Sequence, residues 1–337
     1  MTRGADDAHV VTEMADAGDV RLQTRAMDLL VLCPHFAPDT APTGTVMTAI
    51  ANGLVDQGHR LHIVTSLPWY RAHAVEPEWR GRPWRTEKTP WGRITRVHPF
   101  PTDKRNIRAR AMGFAGFVGL ASVLAALTPT RPDAVLAMSP PLPIGLAGLA
   151  VAKLRRAPLV FNIQDVFPDV AVELGLLTNK HVIRVASAVE RFTYRRADAV
   201  TVLSDDLRDN VVGKIGRQRR HVTRVEVIPN FVDTEAIQPS ERENAYRREY
   251  GLSGRTVVMY AGNVGFSQSL ELLLHAARAL RDTRPDVVFV INGGGAARPS
   301  LEQAAEADGL TNVRFIDYQP IERLPEVLAA GDIHVVP

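Results

Sequence analysis

The sequence predicts an α/β protein of two Rossmann-like, doubly wound domains facing a cleft, the second of them incomplete. Three observations carry that expectation. Short apolar, β-branched runs alternate with longer helical patterns almost throughout, as in parallel βαβ units with helices on both faces of a sheet. A polar, charged stretch after residue 235 interrupts the pattern, which then restarts. Only about 80 residues follow the restart, short for a domain of this type.

The N-terminal segment 1–26 carries Asp6, Asp7, Glu13, Asp16 and Asp19 and no apolar core, so it reads as a mobile tail rather than a secretory signal. Seven runs then build the first domain, 27–235: residues 27–33, 60–65, 93–98, 133–139, 158–165, 198–204 and 224–230. Residues 236–254 read as a linker. Four further runs, 256–263, 286–295, 312–318 and 332–337, belong to the second domain, 255–337. The last is expected to be an interior strand, so the chain is expected to stop mid-domain.

With 337 residues and 45% apolar content the chain has enough material for two cores. A net charge of +3 is too small to point to nucleic acid, and none is expected as a partner. Cys33 is the single cysteine, which rules out a disulfide framework and a cysteine zinc site and makes a reducing, cytoplasmic compartment the default. One stretch bears on membranes: Lys104, Arg105, Arg108 and Arg110 lead into 17 uncharged residues, 111–127. That length is marginal for a span, and its Gly and Ala content favours a core helix or peripheral contact with the inner face of the plasma membrane. The basic run Lys214, Arg217, Arg219, Arg220 and Arg224 reads as a solvated loop before it reads as a lipid contact.

In such folds ligands bind outside the carboxyl ends of the strands. After the first strand, Thr43-Gly44-Thr45 opens a helix whose bare amides suit a phosphate, although a simple Thr cap explains the same residues. After the run 158–165, Asp165 closes the strand and Asp169 and Glu173 begin a helix; capping and proton transfer are both open for these acids. After 256–261 come Gly262, Asn263, Gly265, Ser267 and Gln268, a G-x-x-G spacing that differs from the dinucleotide fingerprint and disfavours a nicotinamide enzyme. After 286–292 come Gly293, Gly294 and Gly295, with Arg298 as a nearby positive charge.

Taken together, Gln164-Asp165-Val166-Phe167-Pro168 and Gly262-Asn263-Val264-Gly265-Phe266-Ser267-Gln268, with the segments around them over roughly 27–337, resemble glycosyltransferase family 4, retaining enzymes of GT-B fold. The match is closest to a bacterial subgroup that builds exopolysaccharide and surface glycans on lipid-linked precursors. The resemblance implies a nucleoside-diphosphate sugar as donor and a glycan or polyprenyl-linked acceptor, with the donor held by the C-terminal domain. It places Asp165 near the transferred sugar as the catalytic candidate. Gly44 and Thr45 fall beside the donor diphosphate, Gly262, Asn263, Gly265 and Gln268 line its other side, and Gly293 to Gly295 approach the nucleotide. No cofactor and no metal is expected, the leaving charge being met by amides, helix dipoles and basic side chains. Asn263 and Gln268 stand where many members carry Arg and Lys. The family's E-x7-E element is not reached before Pro337. Two other readings therefore stay open: a non-catalytic, truncated glycosyltransferase-like interaction protein, and a sugar-nucleotide epimerase.

Overall fold

A computed structural model describes residues 25–70, 74–101, 107–173, 175, 177–216 and 222–337. The chain divides into two compact units, the first ending at Asn230 and the second running from Phe231 to Pro337. The tail expected over 1–26 lies outside the described residues apart from Arg25 and Ala26, as do Lys104, Arg105, Arg217, Arg219 and Arg220.

In the first unit the elements follow in order β1 (Asp28–Leu32), α1 (Pro42–Asp56), β2 (Arg60–Ser66), β3 (Trp84–Thr89), β4 (Gly92–Val97), α2 (Ile107–Ala126), β5 (Ala134–Ser139), α3 (Pro143–Arg155), β6 (Leu159–Ile163), α4 (Asp169–Glu173), α5 (Lys180–Tyr194), β7 (Ala199–Val202), α6 (Asp205–Ile215) and β8 (Arg224–Val227). The sheet order is β3-β4-β2-β1-β5-β6-β7-β8, parallel except for β3, which pairs antiparallel with β4. The winding reverses between β1 and β5, and in open α/β sheets that switch point is where ligands bind. The alternation of strand side chains divides the core in two. Leu30, Leu32, Phe161, Ile163 and Val200 face α2, α3, α5 and α6. Val31, Cys33, Ile63, Ile94 and Met138 face α1 through Met47 and Ala51. Both faces being buried explains why the central strands read as continuous apolar runs.

β3 carries no such run. Its sequence, WRTEKT, is an exposed, charged edge strand that no apolar pattern marks.

The second unit contains α7 (Ala245–Glu249), β9 (Thr256–Ala261), α8 (Glu271–Leu280), β10 (Val287–Asn292), α9 (Arg298–Ala307), β11 (Val313–Ile316), α10 (Leu324–Ala329) and β12 (Ile333–His334). Its parallel sheet has the order β11-β10-β9-β12. The run expected as an interior strand is thus β12, at the sheet edge and paired to β9. α8 and α9 cover one face through Leu273, Leu274 and Leu301. The other face packs on Tyr246 of α7 and Val327 of α10.

Part of the stretch expected as a linker is built into this unit. The reason is Arg247, fully buried, whose guanidinium donates to Ala330 O at 2.9 Å and to Arg255 O at 3.0 Å and meets Asp332 Oδ2 at 2.6 Å. Such a charge is tolerated inside only because every one of these partners is in place.

Candidate functional site

The loop between β1 and α1, residues 33–41, lies at the switch point of the first unit. Asp39, almost fully buried, accepts from Tyr70 N at 3.1 Å and holds His35 Nδ1 at 2.7 Å, while Trp69 stacks on the imidazole at 5.7 Å between centroids. The buried Arg96 supports the same loop by donating to Ala37 O at 2.5 Å, and reaches Glu87 Oε1 at 3.1 Å. Gly44 has a local role. A side chain there would place its Cβ 2.9 Å from His35 Cβ, so glycine makes room for this histidine.

The start of α1 differs from the expectation. Its N-cap is Ala41, Pro42 has no N–H, and the amides of Gly44 and Thr45 both donate to Ala41 O, at 2.8 and 3.0 Å. The Thr45 hydroxyl also turns back to Ala41 O, at 3.5 Å, and the row of free amides read from Thr43-Gly44-Thr45 is largely consumed. Cys33 offers no nucleophile, because burial pushes its thiol up to about 12.

At the end of β6 a chain of amide side chains fixes the backbone. Gln164 Nε2 donates to Asn162 Oδ1 at 2.7 Å, Asn162 Nδ2 donates to Thr201 Oγ1 at 2.8 Å, and Asn230 Nδ2 donates to Gln164 Oε1 at 3.0 Å. Asp165 follows directly, exposed to solvent and without a hydrogen-bond or ion-pair partner among the described residues. Loss of hydration on its inner side raises its carboxyl above the ordinary value.

Asp169 is a different case. Burial works to raise its carboxyl, but hydrogen bonds from Lys214 Nζ at 2.7 Å and Asn210 Nδ2 at 3.1 Å prevail and hold it low. Lys214 also meets Glu190 Oε1 at 2.7 Å, a carboxylate buried in α5 that Tyr194 OH reaches at 3.0 Å. Of the acids at and after the end of β6, Asp169 is therefore committed to structure, and Asp165 has no hydrogen-bond or ion-pair partner among the described residues.

In the second unit the two glycine loops are knitted to each other. Gly262 N donates to Asn292 O at 3.0 Å, Val264 N to Gly294 O at 2.9 Å and Ala297 N to Val264 O at 3.0 Å. Gly293 and Gly295 adopt φ of 150° and 158°, and a Cβ on them would lie 1.9 Å from Gly262 O and 2.2 Å from Val264 O. These two glycines are required by backbone meeting backbone. Gln268 accepts from Gly265 N through Oε1 at 3.0 Å, closing the short turn, and Asn263 is exposed. Tyr246 OH donates to Asn292 Oδ1 at 2.7 Å and steadies the end of β10. Arg298 stands beside the triplet but its charge is met by Glu302 at 2.7 Å and Asp317 at 2.5 Å.

Sequence reasoning did not single out His35, Asp39 or Tyr246, and it read Lys214 only as part of a solvated basic run, whereas its ammonium lies on α6, mostly buried between two acids. His35 and Asp39 sit four apart inside a loop, where spacing carries no periodic meaning, and the other two act across long sequence separations.

The sequence model of Glycosyltransferase Family 4 matches residues 43–236, and that of Glycosyl transferases group 1 matches residues 242–337. The putative colanic acid biosynthesis glycosyl transferase WcaI of Escherichia coli K12 is 26% identical over 92% of this chain and 76% of its own length. The alpha-D-kanosaminyltransferase of Streptomyces kanamyceticus is 32% identical over 45% of this chain, which spans 40% of that relative. Among solved structures, Anabaena HepE in complex with UDP aligns with a TM-score of 0.61 at 17% identity, covering 92% of this chain and 74% of that one. Sucrose-phosphate synthase of Thermosynechococcus elongatus aligns at 0.69 and 16%, covering 92% and 75%. The structural likenesses bear on the fold and agree with the GT-B class. Since the first of the two matched models spans more than half of its residues, the chain belongs to Glycosyltransferase Family 4.

Proposed function

We propose that the chain transfers a sugar from a nucleoside-diphosphate sugar to a glycan acceptor carried on a lipid, with retention of configuration. The observation that carries this reading is Asp165: an acid with a raised pKa and no partner among the described residues, at the carboxyl end of β6, on a strand end that Asn162, Gln164 and Asn230 hold rigid. A carboxyl so placed accepts a sugar hydroxyl or assists proton transfer, and its rigidity limits the reorganisation needed during reaction. The names of the relatives support sugar transfer: colanic acid biosynthesis for WcaI, alpha-D-kanosaminyl transfer for the Streptomyces enzyme, UDP in the HepE complex. Gly262, Asn263, Gly265, Gln268 and Gly293 to Gly295 of the second unit are proposed to border the donor, its leaving charge met by helix dipoles and basic side chains without a metal. Peripheral contact of residues 104–127 with the membrane would bring the site to a lipid-linked acceptor.

The test is incubation of the chain with UDP-, GDP- and ADP-sugars and a polyprenyl-linked glycan, with the anomeric configuration of the product read by NMR. Retained configuration and loss of transfer in Asp165→Asn at unchanged donor binding are expected. Product of inverted configuration, or full transfer by Asp165→Asn, would sink the assignment.

A further inference from the structure

α3 packs between α2 and α5 on one face of the first sheet, and the outer sides of these three helices are unusual for a solvent surface. Val123, Leu127, Leu154, Val182, Val185 and Phe192 all point outward, with Leu127, Leu154 and Val185 about two-thirds exposed. No element among the described residues covers them. Charge is just as one-sided. The three helices contain a single acid, Glu190, and it is buried and paired to Lys214. The exposed charged side chains described on α3 and α5 are Lys153, Lys180, Arg184 and Arg191, and none has a carboxylate within ion-pair distance among the described residues. In the second unit Arg242, Arg278, Arg281, Arg284 and Arg323 are matched to acids, whereas Arg248, Arg255 and Arg314 have no carboxylate within ion-pair distance among the described residues.

An apolar surface on helices that expose cations and no acid among their described residues has the chemistry of a peripheral membrane face. Apolar side chains enter the boundary between headgroups and acyl chains. Lys and Arg stems lie along it while their heads reach lipid phosphates. We propose that the α2-α3-α5 face docks on an anionic lipid surface. This rests on the membrane contact proposed above for 104–127 and extends it to two further helices, whose contribution does not depend on the basic residues of that segment. No helix among the described residues is long and apolar enough to cross a membrane, so the contact lies in the plane of the surface.

The experiment is flotation of the 337-residue chain with phosphatidylcholine vesicles with and without phosphatidylglycerol. Binding is expected only with phosphatidylglycerol, and to weaken as salt is raised from about 0.1 M to about 1 M, where the screening length falls from ~10 to ~3 Å. Each cation near the surface contributes roughly a fivefold gain in partition, so the triple variant Lys153→Gln, Arg184→Gln, Arg191→Gln should lose about a hundredfold. Val185→Ser with Phe192→Ser should lose binding severalfold; all five positions are exposed, so circular dichroism should report an unchanged fold. Arg281→Gln with Arg284→Gln in the second unit should float like the parent.

Absence of flotation, equal flotation with neutral vesicles, or a triple variant that floats normally overturns the proposal. So does loss confined to a variant with Lys104, Arg105, Arg108 and Arg110 changed to Ser, which would restrict contact to that segment. A dimer by light scattering that Val185→Ser dissolves, with no vesicle binding, would assign the face to a second copy. Flotation requires no donor, so its failure leaves the glycosyl-transfer reading intact, and a failed transfer assay leaves this one intact.

Discussion

Lys214 places its Nζ 2.7 Å from Asp169 Oδ2 and 2.7 Å from Glu190 Oε1, so one ammonium on α6 ties down the turn after Asp165 and neutralises a buried acid on α5. Removing the ammonium strands a carboxylate with no solvent access. Lys214→Met should cost about 3 kcal/mol of stability. Asp169→Asn, at a group about one-third exposed, should cost only about 1 kcal/mol or less. Urea denaturation of the two variants checks the ranking, and equal midpoints would contradict it.

His62 gives the protein an acid-sensitive point. Its ring nitrogens lie 2.7 Å from Thr128 Oγ1 and 2.9 Å from Thr95 Oγ1, and burial, with Arg93 nearby, pushes the imidazole from its usual 6.5 down to about 4. Between these values the unfolded chain binds a proton that the folded chain refuses. The resulting stability is therefore complete above pH 6.5 and lost as pH falls toward 4, a change of ~3 kcal/mol. His62→Gln should flatten this slope in chemical denaturation between pH 7 and pH 4; an unchanged slope would place the sensitivity elsewhere.

The ion pair of Arg247 with Asp332 should behave in the same direction for another reason. Hydrogen bonds from Arg242, Val257 N and Arg247 outweigh burial and hold the Asp332 carboxyl well below the usual carboxylate range. A depressed carboxyl stabilises the fold above its unfolded pKa near 3.8, and that contribution disappears as pH falls below it. Asp332→Ala removes the nearer carboxylate of a buried guanidinium, leaving the half-exposed Glu243 at 3.2 Å, and should cost about 3 kcal/mol. The readout is the unfolding transition of the variant, and a loss below about 1 kcal/mol would show that the backbone carbonyls and Glu243 suffice.

Two glycines of the triplet should tolerate no side chain, and the third should. Gly293→Ala and Gly295→Ala drive a Cβ into carbonyl oxygens at 1.9 and 2.2 Å, and each should destabilise by at least about 3 kcal/mol or prevent folding. At Gly294 the nearest atom is the Tyr318 ring at 3.4 Å, and Gly294→Ala should cost about 1 kcal/mol or less. Thermal melts of the three single variants decide it. A uniform response would mean that the loops rearrange together.

The strands were legible because a buried parallel sheet imposes one chemistry on both faces of a strand, and all eleven apolar runs in the sequence became strands. β3 was missed because an exposed edge permits the charged sequence WRTEKT. α7 was missed because its anchor is Arg247, a residue type that normally marks the surface. Asp165 was legible as a strand-end acid, but nothing local distinguished it from Asp169. That separation needed Lys214, 45 positions from one and 49 from the other along the chain.

By itself the sequence determined the α/β class, the two doubly wound units, the family and the loops that border the strand ends, since each follows from local periodicity and short motifs. Only the tertiary structure decided what the loop residues do. It gave Asp169 to an ion pair and left Asp165 open, turned the amides of Gly44 and Thr45 inward, and assigned Gly293 and Gly295 to contacts between two backbones. The reason is that a side chain's role depends on which distant groups occupy its surroundings, and chain spacing does not encode those distances.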